Sequence, residues 1–228
     1  MNPAVKEDIG LTVAQVGIVA AIYTWVFALC QFFSGALLDR FGARRVLLPA
    51  ILLVCIGVFI FANATRFEGL LLSQLFIAIG ACTGFVGAGY VGGSWFGMAK
   101  FSFMFGLVQF AASLFSAFNQ NLLSWALDFV SWRGLFNAVG IAGIALFLLA
   151  AARLRDPTPV NVPPGLSFKR FVSDVFRSLY DVARLPQIWV SSAFGALCFG
   201  VMLALGVVWA PRILMARGLD PATASMAS

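Results

Sequence analysis

Six stretches of this 228-residue chain contain no Asp, Glu, Lys or Arg: 9–38, 46–65, 69–99, 101–127, 134–152 and 185–211. At about 1.5 Å of rise per residue, each is long enough to cross a hydrocarbon layer about 30 Å thick. Apolar residues run around every face of these stretches rather than along one stripe, which is the pattern of helices bathed in lipid. Composition agrees: 61% of residues are hydrophobic and 11% charged, against about 45–50% and about 25% in a soluble domain. A soluble globule of this size cannot bury so much apolar surface. The predicted fold is therefore all-α, a polytopic membrane helix bundle.

Several chemistries drop out at once. The chain has no His, which removes His-based triads, His metal sites and imidazole pH switching. Cys30, Cys55, Cys82 and Cys198 all fall inside apolar stretches without CxxC spacing, so they read as small packing residues rather than a disulfide or zinc framework. No metal and no cofactor is expected. With no intramembrane carboxylate and no nucleophile–base pair, no enzymatic constellation is expected either.

The net charge of +6 fits membrane orientation and does not call for a nucleic-acid partner. Loops taken alternately hold ten Lys and Arg on one side and five on the other. Basic loops stay inside, which predicts a cytoplasmic 39–45 loop and a cytoplasmic 153–184 segment. Within that segment, four prolines between Pro157 and Pro164 read as an extended linker. From Ser167 onward, Phe168, Phe171, Val172, Val175, Phe176, Leu179 and Val182 recur at helical spacing. Basic residues fall mainly between them, predicting an amphipathic helix suited to the membrane surface.

The loop after the first stretch reads Gly35-Ala-Leu-Leu-Asp39-Arg40-Phe-Gly42-Ala-Arg44-Arg45. In physical terms, Gly42 allows a tight reversal. Asp39 is able to accept charge-assisted hydrogen bonds or cap the positive end of a helix. The three arginines hold the loop inside and suit acids or lipid headgroups.

This run resembles the signature loop of the major facilitator superfamily, G-x-x-x-D-[RK]-x-G-x-R-[RK], at every position. In that family it joins the second and third of twelve helices on the cytoplasmic side and takes part in conformational gating. Other stretches are similar to the same frame: Gly10–Gly17 to the lead-in of the second helix, Ser131-Trp132-Arg133-Gly134-Leu135-Phe136 to the opening of the sixth, Arg155-Asp156-Pro157 to its exit, and Gly218–Ser225 to the lead-in of the eighth.

The resemblance implies an incomplete major-facilitator bundle holding the family's helices two to seven. In this register, 1–152 is an N-terminal half lacking its first helix, with spans at about 11–38, 46–65, 69–95, 101–127 and 134–152. Residues 153–184 form the linker, and 185–228 the first helix of the second half and the start of the next. The implied function is secondary transport of a small solute across the plasma (inner) membrane by alternating access, with a coupling ion as a further candidate partner. Its other partners are the bilayer and the remaining helices of a full-length transporter. The alternative is a self-sufficient six-span protein, a channel subunit or assembly factor.

Two sets of intramembrane residues stand out. Gly80, Gly84, Gly89 and Gly93 form small-xxx-small pairs suited to close helix packing. Gln109, Ser113, Ser116 and Gln120, spaced 4, 3 and 4 apart, share one helix face. The resemblance places that helix beside the central cavity, so this stripe, with Tyr23, is the candidate substrate-facing surface. The competing role for the same residues is interhelical hydrogen bonding. Phe76 stands where many family members carry an Arg, and 101–127 lacks the proline of a Gly-Pro pair found in many drug–proton antiporters. No acid lies within a span, so no proton relay is read in these helices.

Overall fold

The computed structural model describes residues 3–126, 129–156, 168–202, 204–205 and 209–218, with side chains apart from those at 3–4, 98, 117–125, 168 and 211–212. Among the described residues every regular element is helical: α1 (Pro3–Ile9), α2 (Val13–Phe41), α3 (Ala43–Asn63), α4 (Phe67–Ala81), α5 (Gly84–Phe96), α6 (Met98–Ala126), α7 (Trp132–Arg153), α8 (Phe168–Ala183), α9 (Pro186–Met202) and α10 (Ala210–Ala216). Five helical segments are long and apolar enough to cross a bilayer, namely α2, α3, the α4–α5 pair, α6 and α7. The all-α membrane architecture expected from the charge-free stretches is thus present.

Local chemistry sets the helix ends. The backbone leaves α1 through Gly10 at φ +70°. There the Leu11 N–H reaches the Lys6 carbonyl at 2.9 Å and the Gly10 N–H reaches Glu7 at 3.3 Å, a left-handed glycine stop that satisfies terminal carbonyls. Thr12 then opens α2 with a reciprocal cap: the Gln15 N–H donates to Thr12 Oγ1 at 3.2 Å and the Thr12 N–H to Gln15 Oε1 at 2.9 Å. Ser131 caps α7 by accepting from the Gly134 N–H at 3.2 Å.

The chain divides into two compact units, Met1–Phe115 with Leu122–Gly165, and Ser116–Asn121 with Leu166–Ser228. In the first, α3 packs between α4 and α7, and α2 packs on α4. Glycines permit these contacts: a Cβ at Gly57 would stand 2.6 Å from Ile77 Cγ1, and one at Gly140 2.8 Å from the Phe59 ring. Asn63 Nδ2 donates to Asn137 Oδ1 at 3.2 Å between α3 and α7.

At one end of this unit, Val5, Leu11, Val19, Phe61, Ala64, Leu70 and Trp132 form a buried apolar cluster. Phe61 meets Phe136 at 4.7 Å and Trp132 at 6.0 Å between ring centroids. Arg133 closes the cluster. Its Nη1 donates to the Ala62 and Ala64 carbonyls at 3.1 and 2.8 Å, where α3 runs out of internal donors. Its Nη2 pairs with Asp8 at 2.8 Å, and its guanidinium lies 4.3 Å over the Trp132 ring.

Two elements depart from the expected spans. The third span is interrupted at Cys82–Thr83, between α4 and α5. There Cys82 Sγ turns back to the Ile79 carbonyl at 3.0 Å and Thr83 Oγ1 to the Gly80 carbonyl at 3.1 Å. Such local side-chain bonds compete with the helical ladder. The last stretch, expected to run to residue 211, holds α9 to Met202, wider helical turn at 204–205 and 209, and the start of α10 at Ala210. In the second unit, α8 and α9 meet at a bend of 88°. The proline linker and the stretch from residue 219 to 225 lie outside the described residues.

Candidate functional site: the α2–α3 turn and its clasp

At the end of the first unit opposite Arg133, α2 and α3 are joined by one residue. Gly42 adopts φ +80°, a left-handed conformation that side-chain-bearing residues rarely take. Its N–H closes α2 on the Leu38 carbonyl at 2.9 Å. The reversal leaves the first N–H groups of α3 without intrahelical partners.

Asp156, just past the end of α7, satisfies them. Its Oδ1 accepts from the Ala43 N–H at 2.7 Å and from the Arg44 N–H at 3.4 Å, with Oδ2 also 3.4 Å from the Arg44 N–H. A carboxylate at this place meets the positive end of the α3 dipole. In return Arg44 Nη1 donates to the Leu154 carbonyl, where α7 has run out of N–H groups. Two helix termini of opposite polarity are thus closed by one side chain from each, and α2, α3 and α7 are tied at this end.

The remaining signature residues sit around the clasp. Arg40 is half-buried, whereas Asp39 and Arg45 are exposed. The Asp39 carboxylate makes no hydrogen bond or ion pair among the described residues. A Cβ at Gly35 would meet nothing within 4 Å, so packing within this unit does not require glycine there.

The intramembrane candidates separate by environment. Gln109, Ser113 and Ser116 are exposed along α6, while the Gln120 side chain lies outside the described residues. Tyr23 is half-buried on α2 and stacks on Phe27 of its own helix, at 5.7 Å between centroids. The glycines also diverge. A Cβ at Gly80 would lie 2.5 Å from the Ala50 carbonyl oxygen, and one at Gly89 3.3 Å from the Phe105 ring. At Gly84 it would meet nothing within 4 Å. The break at Cys82–Thr83 turns the two members of the first pair to different surroundings. Gly93 is half-buried near the end of α5.

Sequence reasoning did not single out Ser34. Buried on α2, it donates to the Cys82 carbonyl at 3.1 Å, at the break itself. Asp156 and Arg133 were visible only as parts of resembling stretches. The available signal was an acid four residues after a long apolar run, beyond two arginines, and an Arg directly before the same run.

A cavity of about 540 Å³ lies among α3, α4, α5, α6 and α7, lined by residues such as Leu47, Val54, Gly87, Phe96, Met104 and Leu146. Among the described residues no charged side chain lines it. A charged solute would lose hydration there without compensation, so this cavity is not suited to recognising one.

Membrane-length helices, a one-residue basic turn and a carboxylate clasp define an integral membrane protein of the polytopic helical class. The chain belongs to the major facilitator superfamily, whose family model matches residues 1–228. It is similar to the probable sulfoacetate transporter SauU of Cupriavidus necator, 25% identical over 226 residues, 96% of this chain and 53% of that protein. It is also similar to the probable nitrate/nitrite transporter NarK2 of Mycobacterium tuberculosis, 27% identical over 210 residues, 90% of this chain and 50% of that one. The probable galactarate/D-glucarate transporter GudP of Bacillus subtilis is 27% identical over 164 residues, 68% of this chain and 35% of its own length. The chain spans about half the length, or less, of these curated relatives.

Proposed function

We propose that this chain forms a half-bundle of a secondary transporter that moves a small anionic solute across the plasma membrane by alternating access. The observation that carries the reading is the Asp156–Arg44 clasp. It ties α2, α3 and α7 into one body at the end where the signature loop turns, and alternating access requires halves that rock as rigid bodies. Asp39, exposed beside the clasp and without a described partner, is the residue offered to a second half. A carboxylate there is suited to the N-terminus of an approaching helix or to a basic side chain.

The ten-to-five Lys and Arg imbalance supports a cytoplasmic 39–45 loop and 153–184 segment. Solute charge is inferred from the relatives, whose names specify sulfoacetate, nitrate or nitrite, and galactarate or glucarate. Gln109, Ser113, Ser116, Gln120 and Tyr23 supply neutral donors for such an anion. A balancing cation and any coupling ion belong to helices beyond the described spans. The family match favours this reading over a self-sufficient channel subunit or assembly factor, and no catalytic group is called upon.

The test is Asp39→Asn in the full-length transporter, with flux of labelled organic acids and membrane abundance measured on the same vesicles. Flux falling well below abundance supports gating by Asp39. Parallel loss of both would reduce the loop to a structural turn.

A further inference from the structure

The helix α8 has a feature beyond its amphipathic character. Counted at about 100° per residue from Phe168, the wheel places Phe176 at about 80°, Lys169 at about 100°, Tyr180 at about 120°, Arg184 at about 160° and Arg177 at about 180°. Arg170 follows at about 200°, beside Asp181 and Asp174 at about 220° and 240°. Lys169, Arg177, Arg184 and the two aromatics therefore share one flank, and the acids, with Arg170 beside them, occupy the adjoining one. Burial belongs to a third face: Phe171 and Val175, at about 300° and 340°, are 8% and 4% exposed, while Phe176 and Tyr180 are 60% and 58% exposed.

Orientation comes from α9. Its 17 residues carry no charge, and α8 is turned 88° from it. With α9 along the bilayer normal, α8 lies in the membrane plane at the interface. The elbow between them is held by side chains. Arg184 Nη2 donates to Tyr180 Oη at 2.6 Å, with its guanidinium 4.3 Å over the Tyr180 ring, and Trp189 Nε1 donates to the Ala183 carbonyl at 2.7 Å. Fixing Arg184 on Tyr180 leaves its other N–H groups available to an oxyanion.

We propose that the Lys169–Phe176–Arg177–Tyr180 flank of α8, with Arg184 in the turn that follows, is a binding surface for anionic phospholipid headgroups. The cations meet the phosphates and the two aromatic rings enter the interface, where such rings are favoured. An acidic protein segment would match the cations alone. The exposed aromatic edge and the in-plane orientation select lipid. The inference rests on the proposed membrane placement of α9, but lipid retention in symmetric discs reads neither sidedness nor flux, so the two readings fail separately.

The test is native mass spectrometry of the full chain released from nanodiscs of equal phosphatidylcholine and phosphatidylglycerol. The wild-type chain is expected to retain phosphatidylglycerol preferentially. Each basic side chain removed is expected to lower that retention about fivefold, so K169Q/R177Q/R184Q abolishes the preference, whereas D174N/D181N preserves it. Inorganic phosphate at matched ionic strength is expected not to displace the lipid. Circular dichroism checks that the variants fold, and R177Q alone carries the test where the triple variant does not reconstitute. Absence of a preference in the wild type, unchanged retention in the basic-flank variants, or displacement by phosphate would each overturn the proposal.

Discussion

Asp156 accepts a 2.7 Å hydrogen bond from the Ala43 N–H, joining residues 113 positions apart in the chain at the first turn of α3. The same carboxylate also meets the Arg44 N–H. One acid just beyond α7 therefore caps the helix that follows the signature turn.

Removal of that cap should be measurable. Asp156→Ala is expected to lower stability by about 1–2 kcal/mol, the usual cost of losing a helix N-cap. Asp156→Asn should cost less, since an amide oxygen still accepts but lacks the charge that favours the helix terminus. Thermal unfolding in detergent, followed by circular dichroism, would check both.

The opposite end makes a parallel prediction with a different hierarchy. Arg133 serves two α3 carbonyls and Asp8 at once, through a planar fork that Lys does not reproduce. Arg133→Lys and Arg133→Gln are each expected to cost about 1–3 kcal/mol, because neither side chain reaches the two carbonyls and Asp8 together and a carbonyl is left unpaired. Asp8→Asn should cost under about 1 kcal/mol, as expected for an ion pair open to solvent. Equal losses in the same unfolding assay would show that the ion pair, rather than the carbonyl contacts, carries the clasp.

Two glycines of one motif should respond oppositely. Gly80→Ala forces a methyl group toward the Ala50 carbonyl oxygen, at 2.5 Å before any relaxation. Overpacking of that kind typically costs about 1–3 kcal/mol. Gly84→Ala meets open space and is expected to be neutral or to stabilise by up to about 1 kcal/mol through helix propensity. Relative thermal stability of the two variants decides between packing by position and packing by motif.

For the proposed transport reading, Gln109→Ala and Ser113→Ala in the full-length transporter are expected to raise KM with membrane abundance unchanged. Loss of a hydrogen bond to a charged solute is worth about 1.5–3 kcal/mol, roughly tenfold or more in KM. Reduced abundance at unchanged KM would assign these residues to helix packing.

Much of this was legible locally. Charge-free stretches located the helices because hydrocarbon excludes charge whatever the tertiary partners. Thr12 with Gln15, and Ser131, cap their helices through bonds made within three residues, inside stretches recognised only by their resemblance to family helix openings. Gly42 announced the reversal because left-handed backbone is a property of the residue itself. The break at Cys82–Thr83 was not legible: the 69–99 stretch is uniformly apolar and glycine-rich, and Ser34 meets the Cys82 carbonyl there from another helix.

The sequence by itself therefore determined a lipid-embedded helical protein, its charge-free spans and the signature turn, since solvent transfer and backbone conformation are local quantities. Only the tertiary structure decided that Asp156 caps α3, that Arg133 closes its other end, and that Gly80 rather than Gly84 carries the close approach. These depend on which helix termini and faces meet in space. Residues as far apart as Ala43 and Asp156 meet only after α3 has packed on α7.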